Sequence, residues 1–169
     1  MLIHLFLHDT QDKTGTLTTA QMSIMTESIY AMDGVNPNDI LLYAYLASNA
    51  DKKDDPIDRA IVSAFDKSSK AKELLTKGGY KQTALVGFNP EVKRVVAFVD
   101  GNGVKKTIAK GIVAKCIDTT AGGVDSHEIQ WKVEQAGDKK FQELVKQKDQ
   151  SLSKAGYKVS CLNIILMAF

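Results

Sequence analysis

The stretch TALVGFNPEVKRVVAFVDGNGVKKTIAK at residues 83–110 decides the fold class. Side chains alternate with a period of two through TALVGF, RVVAFVD and VKKTIAK, all rich in β-branched and aromatic residues. Asp100-Gly101-Asn102-Gly103, between the last two, is a strong hairpin signal, so the segment predicts an antiparallel sheet. Upstream the grammar is helical. Asn36-Pro37-Asn38-Asp39 offers an N-cap followed by proline at the first helical position, with an apolar face of Ile40, Leu41, Tyr43, Ala44 and Ala47. Asp55-Pro56-Ile57-Asp58 repeats the pattern, with Asp55 as N-cap and Ile57, Ala60, Ile61, Ala64 and Phe65 at helical spacing. Residues 70–77 predict a third short helix, stopped by Gly78-Gly79.

The flanks are simpler. Residues 2–7 (LIHLFL) predict a short buried strand running into the polar loop HDTQDKTGTLT. Residues 112–117 suit a short helix and 119–126 a flexible loop, whereas 127–135 (HEIQWKVEQ) fit a strand or a helix start equally. Phe141, Leu144, Val145, Leu152 and Ala155 form a helical stripe ended by Gly156, before a last strand-like run at 157–169. No repeat or linker divides the chain, and residues 20–163 read as one α+β unit.

Composition bounds the function. With 169 residues, 44% hydrophobic and 25% charged, the chain is an ordinary globular sequence, which excludes disordered and fibrous classes. Its apolar runs fall short of the roughly 20 residues a membrane-spanning helix needs. The first seven residues lack the basic start and cleavage site of a secretory leader, so a cytosolic setting is expected. Net charge is +2, too small to indicate nucleic acid, but residues 1–50 carry one basic and five acidic groups while the rest carry 21 basic and 15 acidic. The basic part suits a small anion such as a nucleotide phosphate. Cys116 and Cys161 make no metal-ligand spacing and read as buried thiols. His4 and His8 share a strand face without a third ligand, so no complete metal site is expected.

The sharpest chemical feature is Asp12-Lys13-Thr14-Gly15-Thr16-Leu17-Thr18. A carboxylate on a glycine-containing loop after a buried strand can act as a nucleophile toward a phosphoryl group, with Lys13 and backbone amides stabilising the phosphate oxygens. This DKTGTLT run resembles the phosphorylation motif of P-type ATPases, in which the aspartate at the position of Asp12 becomes an aspartyl-phosphate. The resemblance continues in order and spacing. GVNPND, LLYAYLAS and DPIDRAI are similar to the first helices of the nucleotide-binding domain of plasma-membrane proton pumps. FNPEVKR at 88–94 and Lys110-Gly111 resemble that family's FNPxxKR and KGAP segments, and FQELVKQKDQSLSKAGYKVSCLN its closing helix and strand. The resemblance covers residues 12–163 and fits the proton-pump branch better than other branches.

It implies a twisted antiparallel sheet flanked by helices, ATP or ADP as ligand, and Mg2+ in the intact family. Domain limits follow: residues 1–19 a remnant of the phosphorylation domain, 20–163 the nucleotide-binding domain, and 164–169 a remnant strand. By residue-by-residue similarity, Asp12, Lys13 and Thr14 correspond to the catalytic loop. Phe88 corresponds to the adenine-stacking ring, Lys93 and Lys110 to sugar or phosphate contacts, Asp58 to the acceptor for the adenine amino group, and Gly111 to a close backbone approach. Lys158 stands where the family commonly has an arginine, keeping charge without bidentate phosphate contact. Arg94, Lys105 and Lys106 read as solvated strand residues.

Departures limit this expectation. The TGD and GDGxND motifs that supply the rest of the phosphate and Mg2+ site are not in this sequence, nor are transmembrane helices. Thr10-Gln11 stand in place of Cys-Ser, and Lys110-Gly111-Ile112-Val113 in place of KGAP. The expected function is therefore that of an ATP- or ADP-binding piece of a truncated or excised proton-pumping ATPase, which does not complete hydrolysis or transport alone. Its partners would be nucleotide and the remaining pump domains or another protein. The alternative is a degenerate pump fragment acting through protein contacts, with the 119–126 loop and the apolar ends as its surfaces.

Overall fold

The computed structural model describes residues 2–8, 22–26, 29, 35–51, 55–112, 123–124, 130–131, 139–155 and 158–167. Helix α1, Pro37–Leu46, begins as the sequence dictates: the Asn36 side chain accepts the Asn38 amide at 2.8 Å, and Pro37 takes the first turn. Its burial exceeds a single stripe. Ile40, Leu41, Leu42, Tyr43, Ala44 and Leu46 are all buried, because α1 lies between the sheet on one side and α2 (Pro56–Lys67) and α3 (Ser69–Lys77) on the other.

Asp55 caps α2 through hydrogen bonds from the amides of Ile57 (2.8 Å) and Asp58 (3.3 Å). The inward face is the expected one, with Ala60, Ile61 and Phe65 buried and the Phe65 ring stacked on Tyr45 at 3.9 Å. Ser68 caps α3 by accepting the Ala71 amide at 3.1 Å. The Gly78-Gly79 stop works by a paired closure: the Tyr80 amide donates to the Leu75 carbonyl, the Gly79 amide to that of Thr76, and Gly79 adopts φ +56°. This is a Schellman ending, which needs a left-handed residue that only glycine supplies without strain.

Among the described residues six strands form one sheet, in the order β2 (Ser23–Ile24), β1 (Leu2–His8), β8 (Lys158–Met167), β5 (Val104–Gly111), β4 (Arg94–Gly101), β3 (Lys81–Asn89), every neighbouring pair antiparallel. The expected α+β class is therefore the observed one. The β4–β5 hairpin closes at Asn102 and Gly103, both with positive φ. Strands near the two ends of the sequence pair with each other: β8 lies between β1 and β5, within the sheet. Two short strands, β6 (Gly123–Val124) and β7 (Gln130–Trp131), form a separate pair, so part of the expected 119–126 loop is strand and Gln130-Trp131 takes the strand alternative. Helix α4, Lys139–Lys154, packs on β8, with Leu152 partly buried but Leu144 exposed despite its place on the apolar stripe. Ile112 lies outside any helix, and residues 113–117 of the expected short helix lie outside the described residues.

Candidate functional site

Strand β3 carries one residue more than β4 on either side of the Ala84–Val86 pairing, and the second irregularity falls between Val86 and Asn89. Gly87 and Phe88 lie in this bulge, at an edge strand, just before the turn. A β-bulge bends its strand and re-aims a side chain. Phe88 is 59% exposed, the largest exposure among the large apolar side chains described.

The turn after Phe88 is held from within. Asn89 accepts the amides of Glu91 (2.8 Å) and Val92 (3.4 Å) on its side-chain oxygen, and its carbonyl accepts the Lys93 amide at 2.7 Å. Lys93 closes the turn at φ +50°, in the left-handed region that a lysine rarely occupies. Its side chain is exposed, and its carbonyl accepts the Ile112 amide at 3.3 Å. Gly111, paired with Arg94 across β4–β5, packs directly on this turn.

The residue before Gly111 belongs to a buried charge pair. Lys110, 5% exposed, donates to the Asp58 carboxylate and to Ser48 Oγ at 2.9 Å. The other Asp58 oxygen accepts the Asn49 amide at 3.0 Å, and Ser48 Oγ itself donates to the Ala44 carbonyl at 2.8 Å. Burial pushes the Lys110 ammonium below the ordinary lysine range, outweighing the opposing pull of Asp58. The arrangement ties β5 to the end of α1 and the start of α2.

Three residues after Gly103 of the hairpin tip, a second buried lysine makes a different arrangement. Lys106, 8% exposed, donates to Tyr43 Oη at 2.8 Å and Tyr80 Oη at 2.9 Å, with its ammonium 4.9 Å and 4.6 Å from the two ring centres. The two hydroxyls are 3.3 Å apart, and Asn102 donates to Tyr80 at 3.2 Å. Burial raises the Tyr43 hydroxyl far above the usual phenol range. For Tyr80 burial also pulls upward, but the hydrogen bonds from Lys106 and Tyr43 prevail and hold it below that range. The expectation that Lys106 and Arg94 are solvated is thus corrected: both are buried, Arg94 at 4% exposure. The register contained the signal, since Lys106, Ile108 and Lys110 share one strand face and Ile108 belongs to the core.

Of the residues singled out in the sequence, the structure brings Asp58 to Lys110 and Gly111 to Lys93, with Phe88 leading into the same turn. Gly111 pairs with Cys161 on β8, which puts Lys158 three residues further along that strand, about 10 Å, toward the same end of the sheet. Asp12, Lys13 and Thr14 lie outside the described residues. Sequence reasoning assigned no functional role to Ser48, Asn89, Tyr43 or Tyr80. Asn89 had a signal, as an asparagine preceding proline is a turn former. A recess of about 590 Å³ at the opposite end, lined by residues that include Lys77, Asn102 and Lys105, touches none of the candidate catalytic or nucleotide-binding residues. Among the described residues, no three His, Cys, Asp or Glu side chains gather as metal ligands, and no helix is long and apolar enough to cross a membrane.

No protein-family profile matches the chain. Curated relatives do. The chain is 38% identical over 120 residues to plasma membrane ATPase 2 of Schizosaccharomyces pombe, covering 70% of this chain and 11% of the relative. It is 35% identical over 146 residues to the plasma membrane ATPase of Neurospora crassa, covering 85% and 15%. With plasma membrane ATPase 1 of Saccharomyces cerevisiae it shares 39% over 102 residues, 59% of this chain and 11% of the other. The chain thus spans a small fraction of the length of each.

Proposed function

Over its aligned residues this chain is a P-type ATPase sequence of the plasma-membrane proton-pump branch, and on that premise we propose that it binds ATP or ADP at the Phe88–Lys93 end of the sheet. The observation that carries the reading is the exposed Phe88 ring in its bulge, directly before a turn that ends in an exposed lysine. A base stacks on the ring, where an aromatic contact is worth about 1–3 kcal/mol, and Lys93 meets the sugar or phosphates as a point charge. Lys158, toward the same end, supplies further positive charge. Lys110, next to Gly111 on β5, is paired with Asp58. Their charges satisfy each other, so a direct contact of either with nucleotide requires the pair to open.

In this reading Asp12 is an acceptor whose phosphate and metal ligands are incomplete in this sequence, and the chain binds nucleotide without completing hydrolysis or transport. Such binding belongs on the cytoplasmic side of a pump, where its other domains are the natural partners. Isothermal titration of ATP into the folded chain tests the proposal. Saturable heat at millimolar nucleotide, weakened about tenfold in Phe88→Ala, is expected. Absent binding, or an unaltered dissociation constant in Phe88→Ala, removes the site.

A second reading has one observation in its favour. Ile112, 42% exposed, joins the same turn through its amide, so two exposed apolar side chains flank Lys93. A protein contact there, without nucleotide, would appear as association in sizing experiments that Phe88→Ala abolishes.

A further inference from the structure

The turn linking β3 to β4 is more constrained than a surface loop needs to be. Lys93 sits at φ +50°, a conformation that persists in a lysine only where its surroundings impose it. They do so from two sides. Asn89 ties the turn from the front, taking the Glu91 and Val92 amides on its side chain and the Lys93 amide on its carbonyl. Gly111 closes it from behind. A Cβ at Gly111 would collide with the Lys93 carbonyl oxygen and stand 2.8 Å from Arg94 Cβ and 2.9 Å from Arg94 Cα, so any side chain must push the turn away. The Lys93 carbonyl is already engaged by the Ile112 amide at 3.3 Å, leaving little room to give.

Resting on the nucleotide reading above, we infer that Asn89 and Gly111 are positioning residues that act through Lys93. They fix the lysine in its left-handed conformation at a set place relative to the bulge that carries Phe88. The close backbone approach that glycine permits at position 111 is then the approach of the protein's own turn. Nucleotide is recognised by a pre-set pair, one ring and one ammonium, whose spacing is determined by backbone contacts on a neighbouring strand.

The test is a series of calorimetric titrations of ATP and ADP into the full chain, with circular dichroism confirming the folded state of each variant. Gly111→Ala and Asn89→Ala should each raise Kd about fivefold, the scale of losing one solvent-facing charged contact. Asn89→Ser, which keeps an acceptor oxygen, should stay near the unaltered chain. In a Lys93→Ala background, Gly111→Ala should add no further loss, because the contact it positions is already gone. An unchanged Kd in folded Gly111→Ala, or losses that simply add in the double variant, would overturn the inference while leaving the nucleotide reading intact. If Gly111→Ala does not fold, Asn89→Ala set against Asn89→Ser decides. No binding by the unaltered chain would overturn both.

Discussion

Strand β5 buries a lysine toward each of its ends, and the two are satisfied in opposite ways. At the Gly111 end, Lys110 meets a carboxylate, a serine hydroxyl and the desolvation of both charges. Toward the hairpin end, Lys106 meets two phenols that donate no charge but also bond to each other and present their ring faces. Each lysine ties the sheet to α1 or the residues just after it, with Ile108 packed between them. The comparison shows two routes to burying a cation. A formal pair is self-neutralising but depends wholly on its partner, whereas a neutral cradle gives weaker attraction yet stays satisfied when one member is lost.

The most damaging break should be Asp58→Ala. It leaves the Lys110 ammonium buried without its counter-charge, an effect of roughly 3–5 kcal/mol in urea unfolding. Asp58→Ala combined with Lys110→Met should recover most of that loss, since replacing both members removes the desolvation along with the attraction. At the other end, Lys106→Met should cost only about 1–2 kcal/mol, because the two tyrosine hydroxyls can still bond to each other. Equal losses at the two ends would break the contrast.

Smaller effects sharpen it through pH. The folded state holds Lys110 below its ordinary 10.5, so between the folded value and 10.5 the unfolded chain binds more protons. Stability should therefore gain with rising pH in that alkaline window, and the gain should vanish in Lys110→Met, measured by unfolding at successive pH values. At the Lys106 end, ultraviolet titration of the phenols should show Tyr80→Phe removing a hydroxyl that ionises below the usual phenol range, and Tyr43→Phe one that ionises above it.

Much of this was legible in the sequence. Asn36-Pro37, Asp55-Pro56, Gly78-Gly79 and Asn102-Gly103 marked their caps and turns because each works through its own neighbouring backbone. The burial of α1 beyond one stripe was not, since Leu42 lies off the expected face and only the placement of α1 between two layers explains its burial. Within the site, Phe88, Lys93, Lys110 and Gly111 were singled out by similarity. What stayed hidden was who meets whom: Lys110 and Asp58 are 52 residues apart, and no local pattern announces a pairing at that range. Lys106 misled for a different reason, since a lysine in a strand ordinarily faces water and only its shared face with Ile108 argues otherwise.

The place of β8 in the sheet has a consequence for how the molecule assembles. Among the described strands it comes last in the sequence yet sits inside, pairing with β1 on one side and β5 on the other. During synthesis the β3–β4–β5 meander can form from local contacts, but β5 keeps an open edge and β1 has no long partner until residues 158–167 emerge. The step joining the two halves of the sheet is then the one of longest sequence separation, which makes it slow and leaves exposed strand edges vulnerable to aggregation meanwhile.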